Sequence, residues 1–473
     1  MTPQERYQKL SALLMQESPE LVEVLSEYQL LDKVGYKTGL LKPEHSYAES
    51  LSWWPLISVL GTFSAGKSSF INGLIGKKVQ TTGNQAVDDK FTVICYGNQE
   101  AVLTLPGLAL DADPRFPFYG ISAQIEKVEQ GEGKRLDSYL QLKTTAADIL
   151  RGKILIDSPG FDADAQRNAT LRMSKHIIDL SDLVLVFFDA RHPEPGAMRD
   201  TLKHLVQATR QRHDANKIVY ILNQIDTAAK EDNLEEVMSA WQKALASEGL
   251  VGGHLLALYH PAAADLGENA SVNERFARRR EQDMQALLTR MEKVQVERSY
   301  RIIHSLENLA HEIEWVQIPK LKNELKRWRL QVLSIEAALL ATLISLLTTL
   351  WFLYDFNIAS ITESSIWALL QNSAIFGFST ALLLFFSIFA MHHWLRAQLV
   401  RRRQTQLQQQ NEHALADALA FNTPFWRGMF YASPRGWKTK TRKWLSKIHQ
   451  SAKAQIQRRN DRYTNPSGET LLK

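Results

Sequence analysis

Residues 56–72 read LISVLGTFSAGKSSFIN, and they place Gly61, Gly66, Lys67 and Ser68 between an apolar strand-like run and an apolar-periodic helix. This is the spacing of a P-loop in the context that a P-loop requires. The two glycines let the backbone curl, so that successive N–H groups across Ser64, Ala65, Gly66, Lys67, Ser68 and Ser69 face phosphate oxygens at a helix N-terminus. The Lys67 ammonium reaches the β and γ phosphates, and the Ser68 hydroxyl is a ligand for Mg²⁺. A second group, Asp157-Ser158-Pro159-Gly160, closes the run Ile154-Leu155-Ile156. There Asp157 would hold Mg²⁺ through water and the Gly160 N–H would sense the γ phosphate. A third, Asn223-Gln224-Ile225-Asp226, closes the run 218–222. A carboxylate at Asp226 accepts two hydrogen bonds from a base edge that presents N1–H and N2–H₂, as guanine does and adenine does not.

Three motifs, in order and each closing a strand, need a sheet that aligns strand ends. Between residues 51 and 262 the apolar runs at 56–60, 154–156, 183–188, 218–222 and 255–259 alternate with helical stretches, the pattern of a parallel sheet wrapped by helices. Residues 1–50 carry apolar positions at helical spacing (Leu10, Leu13, Leu14, then Leu21, Val24, Leu25) and read as a helical hairpin. Residues 263–330 read as a helical stalk, in which Ile302, Leu306, Leu309, Ile313 and Val316 follow a short heptad-like seam and Pro319 is expected to end or kink the helix.

Residues 331–395 read as a two-span transmembrane hairpin. The stretches 337–354 and 364–391 contain no charged residue, and each can cover the ~20 residues that cross a hydrocarbon core. The connection 355–363 holds two acidic residues and no basic one, whereas Lys320, Lys322, Lys326, Arg327 and Arg329 flank one side and Arg396, Arg401, Arg402 and Arg403 the other. The positive-inside rule therefore predicts both termini in the cytoplasm. A greasy hairpin buried in a soluble oligomer is the alternative. Residues 396–473 form a basic helical tail, with eleven basic residues and one acidic one between 427 and 462. Trp426, Phe430, Tyr431, Trp437 and Trp444 interleave with those charges, as contact with anionic membrane lipid requires; the alternative is a solvated basic helix packed on the stalk.

A net charge of +5 over 473 residues is too mild to dictate nucleic-acid binding, and no nucleic-acid partner is expected. Cys95 is the one cysteine, so neither an internal disulfide nor a cysteine-based zinc cluster can form from this chain alone, and it is expected in the core. The polar first ten residues read as a cytosolic N-terminus. His392-His393 reads as an interfacial pair rather than a metal site. The segment 99–151 is a long insertion to which no task is assigned.

With these motifs in hand, the sequence resembles the dynamin superfamily of membrane-remodelling GTPases, in particular the EH-domain-containing relatives and the bacterial dynamin-like proteins. The resemblance rests on GTFSAGKSSFIN, the DKFTVICYG run ending at Gly97, IDSPGFD, the DLVLVFFDA run at 182–190, and LNQID. It implies an α/β P-loop NTPase fold with a dynamin-type G domain, plus an α-helical stalk and the two-helix hairpin. It further implies GTP and Mg²⁺ as cofactors, a homodimer or higher oligomer formed through the G domain, and catalytic roles for Ser64 near the leaving phosphate, Lys67 and Gly160. Gln224 stands where relatives have a lysine along the base. In the first switch Val87 and Asp88 stand where relatives carry threonines, which weakens the expectation of hydrolysis more than that of binding. The implied function is a membrane-anchored GTPase that remodels, tethers or fuses membrane, with a multi-pass location in a bacterial inner membrane. The alternatives are a nucleotide-gated scaffold with little hydrolysis and an ATPase like the EH-domain relatives.

Overall fold

The alternation along Leu183–Asp189 shows how the sheet sorts its side chains. Leu183, Leu185 and Phe187 join one buried cluster, and Val184, Val186 and Phe188 join the other. Ile218–Asn223 does the same, with Val219 and Ile221 on one side and Tyr220 and Leu222 on the other. A strand covered on both faces needs apolar residues at every position, which is why these runs are continuous.

In the computed structural model the described residues are 2–61, 64–82, 90–116, 136–159, 177–191, 217–247, 254–354, 374–431 and 433–464. They fall into two compact units, one made of Met1–Leu25 with Ala48–Ile303, the other of Ser26–Tyr47 with His304–Lys473. The first unit is built on eight strands, β1 (Leu56–Gly61), β2 (Phe91–Tyr96), β3 (Leu103–Pro106), β4 (Leu140–Thr145), β5 (Ile154–Asp157), β6 (Leu183–Asp189), β7 (Ile218–Asn223) and β8 (His254–Ala257). Their order is β3-β4-β2-β5-β1-β6-β7-β8.

From β5 to β8 all neighbours are parallel, as the sequence predicts, but β2 is antiparallel to β5 and β3 is antiparallel to β4. The sheet is therefore mixed. A continuous apolar run such as β2 reports burial on two faces and carries no signal of direction. The insertion 99–151 supplies β3 and β4, which extend the sheet. β3 is an exposed edge strand ending at Pro106, where a missing N–H costs no ladder bond.

Helices cover both faces. α3 (Lys67–Ile75) contributes Phe70, Ile71 and Ile75 to one cluster together with Leu287, Met291 and Val294, while α4 (Leu234–Ser247) contributes Trp241 and Leu245 to the other, together with Phe276. Leu287, Met291, Val294 and Phe276 lie on α5 (Ala270–Glu312), which starts in this unit. Buried Asp182 accepts the Leu56 N–H at 2.9 Å and pairs with Arg298 at 3.2 Å and Arg301 at 3.0 Å, clamping α5 to the starts of β1 and β6. The N-terminal helix α1 (Pro3–Glu17), capped by Thr2, is held at its far end by Glu17, which accepts the indole N–H of Trp54 at 2.5 Å and the Gly152 N–H at 3.0 Å. Cys95 is buried, as expected of a core residue.

The second unit is helical. After α5 the chain makes a π-helical turn at Ile313–Gln317 and continues as α6 (Ile318–Tyr354). Pro319 therefore does not end the helix. Its missing N–H and its ring fall where the widened turn has already released the hydrogen-bond register. Ile302, Leu306 and Ile313 are buried together with Ile303 and Ala310, while Val316 is exposed, so the buried stripe is broader than the expected seam and stops before Val316. α7 (Ala374–Gln409), α8 (His413–Asn422) and α9 (Thr439–Thr464), with the part of α2 (Glu20–Thr38) from Ser26 onward, complete the unit.

α6 and α7 are each long and apolar enough to cross a membrane, and large side chains along them point outward: Leu339, Leu343, Leu346, Leu347, Phe352, Phe378, Leu383 and Phe386 are exposed. Trp437 is buried and Trp444 half-buried, the latter beneath the Lys37 ammonium. The chain thus packs against protein at Trp437, just ahead of α9, and at Trp444 on α9, whereas Trp426, Phe430 and Tyr431, in the segment between α8 and α9, are exposed.

Candidate functional site

The three motifs meet at the carboxyl end of the parallel strands. Val59 of β1 is level with Asp157 of β5, Gly61 with Phe187 of β6, and Asp189 of β6 with Asn223 of β7. That edge is where ligands bind in open α/β sheets, beyond the strand ends.

Gly61 ends β1, and a Cβ there would lie 2.7 Å from the Phe187 carbonyl oxygen. Gly66 has φ +81°, and a Cβ would lie 2.2 Å from Nδ2 of Asn223. Only glycine fits between the loop and the β7 motif. The Asn223 side chain uses this closeness, donating from Nδ2 to the Ala65 carbonyl at 2.8 Å, and Gln224 donates from Nε2 to the Ser64 carbonyl at 2.6 Å. Ser64 and Gln224 both take left-handed backbone conformations, φ +61° and +63°. The motif that the sequence assigns to the base thus also props the phosphate loop from below.

Gly66 starts α3 and no side chain caps the helix, so its first-turn N–H groups face the loop at the positive end of the helix dipole. Lys67 is buried and donates to the Gly61 carbonyl at 3.0 Å, folding its ammonium back over the loop. Ser68 and Ser69 are half-buried in the first turn. Asp157 is buried and accepts from Nε2 of Gln80 at 2.6 Å. Asp226, half-buried after β7, accepts the Asp265 N–H through Oδ2 at 3.4 Å. Gly160, Val87 and Asp88 lie outside the described residues.

These residues fit a magnesium-bound nucleoside triphosphate. The donors available to a cation are carboxylate and hydroxyl oxygens, the hard set that Mg²⁺ takes. The loop offers backbone N–H groups, a lysine and space that a single Cβ would fill. No group of three or more histidine, cysteine or acidic side chains able to hold a metal occurs among the described residues.

Residues 57–225 match the dynamin family. The chain carries a dynamin-type G domain. Over 179 residues it is 26% identical to human EH domain-containing protein 2, covering 36% of this chain and 30% of that protein. Over 184 residues it is 24% identical to the Arabidopsis thaliana probable transmembrane GTPase FZO-like, chloroplastic, covering 39% of this chain and 16% of that protein. The match spans less than a third of either relative. Among solved structures, a chain from an oligomerised bacterial dynamin pair, described as a mechanism for long-range sensing and tethering of membranes, overlaps 96% of this chain and 69% of its own at 16% identity and a TM-score of 0.35. The LeoA bacterial dynamin GTPase from ETEC overlaps 97% and 87% at 12% identity and a TM-score of 0.30.

Around the site of this dynamin-type G domain, the structure adds residues that motif reading does not reach. Asn72 on α3 accepts the N–H groups of Val79 and Gln80 through Oδ1, both at 2.8 Å, and donates to the Gln80 carbonyl at 2.8 Å. Gln80, so fixed, presents Nε2 to Asp157 and Oε1 to the buried Lys143 of β4, whose Nζ lies 2.6 Å away and also donates to the Val79 carbonyl at 3.0 Å. A buried chain, Lys143 to Gln80 to Asp157, therefore orients the carboxylate. On β6, Asp189 forms a forked pair with Arg191 beside Asn223. The signal for the first chain was present only as a buried-strand lysine, which apolar-run reading passes over.

Proposed function

We propose that this protein is a membrane-anchored, dynamin-like GTPase that binds Mg²⁺-GTP and couples its hydrolysis to tethering or remodelling of the bilayer. The observation that supports it most is the joint between the nucleotide motifs, Gly66 packed on Asn223, in a chain whose two longest apolar helices turn leucine and phenylalanine outward. In this reading the uncapped α3 N-terminus and the loop amides bind the phosphates. Lys67 exchanges the Gly61 carbonyl for β and γ oxygens, with Ser64 beside the leaving phosphate and Gly160 answering to the γ phosphate. Ser68 and Asp157 would hold Mg²⁺, which neutralises charge on the phosphates when bound. Asp226 selects guanine, and Asn223 and Gln224 keep the loop in register with it.

α6 and α7 span the membrane, with the basic flanks and both termini on the cytoplasmic side. The related FZO-like protein is named a transmembrane GTPase and a structural neighbour is described as tethering membranes, which agrees with this reading. G domains pair across copies when nucleotide is bound. The second reading, a nucleotide-gated scaffold, is favoured by Val87 and Asp88 in the first switch.

Turnover of GTP and of ATP by the full chain, in detergent and in proteoliposomes, tests the proposal. GTP hydrolysis stimulated by reconstitution and lost in Lys67→Ala is expected. Tight binding with equally slow turnover in both settings replaces the motor with the scaffold, and tighter binding of ATP removes the guanine assignment.

A further inference from the structure

The segment between α8 and α9 reads PFWRGMFY over residues 424–431, and it splits its side chains two ways. Met429 is buried with Trp328 and Val332 of α6 and Leu399 and Val400 of α7. Phe425, Trp426, Phe430 and Tyr431 point outward, 74%, 61%, 74% and 65% exposed. With about 150–250 Å² on each ring, they present on the order of 500 Å² of aromatic surface, more than a water-facing loop normally carries. The loop is held in this posture. Arg396 of α7 donates to the Arg427 carbonyl at 2.7 Å, Arg427 donates to Oδ1 of Asn422 and to the Ser433 carbonyl, both at 2.8 Å, and the Arg435 guanidinium lies over the rings of Phe421 and Trp426.

Its level on the helices is also fixed. The Phe425 ring lies 6.4 Å from that of His393, and His392 bonds Glu336 across from α7 to α6. Glu336 immediately precedes one uncharged run and His392 immediately follows the other. The exposed aromatics therefore sit where both apolar runs end, alongside exposed Trp394. No acidic residue occurs between Asp417 and Asp461, while Arg435, Lys438, Lys440, Arg442 and Lys443 follow within a few residues of the loop.

We propose that residues 424–431 form a rigid aromatic collar seated in the headgroup region of the same bilayer that α6 and α7 cross. This rests on the spanning reading of those helices and deepens it, because of the five aromatics that the sequence sets against lipid it assigns contact to Trp426, Phe430 and Tyr431 of the loop, joined by Phe425, and withdraws it from Trp437 and Trp444. The occupant is a phospholipid interface, which takes amphipathic aromatic rings and is drawn to the flanking cations when its lipids are anionic. The collar would set the height and tilt of the helix pair, since Met429 and Arg396 tie it to both helices.

The test uses the full chain with an environment-sensitive fluorophore on single introduced cysteines, which Cys95 permits because it is buried. Probes go on Phe430→Cys, on Leu347→Cys within α6, and on the exposed Gln450→Cys of α9, in vesicles of phosphatidylethanolamine and phosphatidylglycerol. The expected result is that nitroxide lipids labelled near the headgroup quench the 430 probe several-fold more than mid-chain labels do. The 347 probe should show the reverse order, and the 450 probe should be open to aqueous iodide. If the 430 probe stays open to iodide while the 347 probe is in lipid, the collar is overturned and the spanning reading stands. If the 347 probe is open to water as well, both fall. Shielding of the 430 probe that appears in detergent and grows with protein concentration overturns the collar by showing that a second copy covers the patch.

Discussion

Gly66 joins the phosphate loop to the base motif, and its replacement is informative because two costs coincide. An alanine would hold φ +81° at about 1–2 kcal/mol and would press a Cβ onto the Asn223 amide. Gly66→Ala should therefore abolish measurable nucleotide binding, whereas Asn223→Ala, which deletes only the bond to the Ala65 carbonyl, should weaken it by about tenfold, the equivalent of ~1.4 kcal/mol. Titration with a fluorescent GTP analogue reads both, and equal affinities across the wild type and the two variants would detach the loop from β7. Gly61, Gly66 and Lys67 were legible in the sequence because a P-loop is written within a few consecutive residues. Gln80 and Lys143 were not, because they lie 63 residues apart and meet only through the β4–β2 pairing. Their link is open to a double-mutant cycle. Gln80→Met and Lys143→Met should each destabilise the fold, and the pair should show a coupling of about 1–3 kcal/mol in denaturant unfolding. Additivity within ~0.3 kcal/mol would mean that the chain to Asp157 is only proximity.

At the scale of elements, what was readable followed burial. β1, β5, β6 and β7 are apolar at nearly every position and were found as runs, and α3 was placed by the loop that starts it. β4 (LQLKTT) and β3 (LTLP) carry polar or exposed residues and gave no such run, and the reversal of β2 leaves no mark in composition. Helix α5 is tied to the sheet at two levels, by Asp283, which accepts the Ala257 N–H at 2.7 Å, and by Asp182 at the strand starts. Asp182 is buried, and its carboxylate serves a backbone N–H and two guanidinium groups, so deleting it leaves the Leu56 N–H without its acceptor and Arg298 with the Ser52 carbonyl but without this countercharge. Asp182→Ala should cost about 3–5 kcal/mol, visible as a lowered midpoint in chemical denaturation of the detergent-solubilised protein. Asp182→Asn keeps the acceptor for Leu56 and should lose less. A midpoint unchanged in both variants would show that the apolar contacts of Leu287, Met291 and Val294 hold α5 without the clamp.

At the scale of the whole molecule, the proposed anchoring by α6 and α7 would change what a weak contact between G domains can do. Copies confined to a bilayer meet at an effective concentration set by their surface density and not by the bulk solution, so an interface too weak to hold in dilute detergent becomes occupied on a vesicle. If hydrolysis needs that interface, turnover per molecule depends on the protein-to-lipid ratio at constant bulk protein. Diluting the same amount of protein into ten times more lipid should lower GTP turnover several-fold, and returning to the original ratio should restore it. Nucleotide affinity should stay constant through the series, because in the proposed reading one chain supplies the whole phosphate site: Gly61, Asp157 and Asn223 from strand ends of one sheet, and Gly66 and Lys67 from the loop and helix that follow Gly61. Lys67→Ala reconstituted alone should be inactive, and mixed with the wild type at fixed total density it should lower activity more than its mole fraction accounts for, since each inactive copy also occupies a partner. Turnover independent of surface density, with inhibition by Lys67→Ala that is merely proportional, would mean that each G domain works alone. In that event nucleotide state acts within one chain, and the gated scaffold is the better account of why a P-loop domain and two outward-facing apolar helices share it.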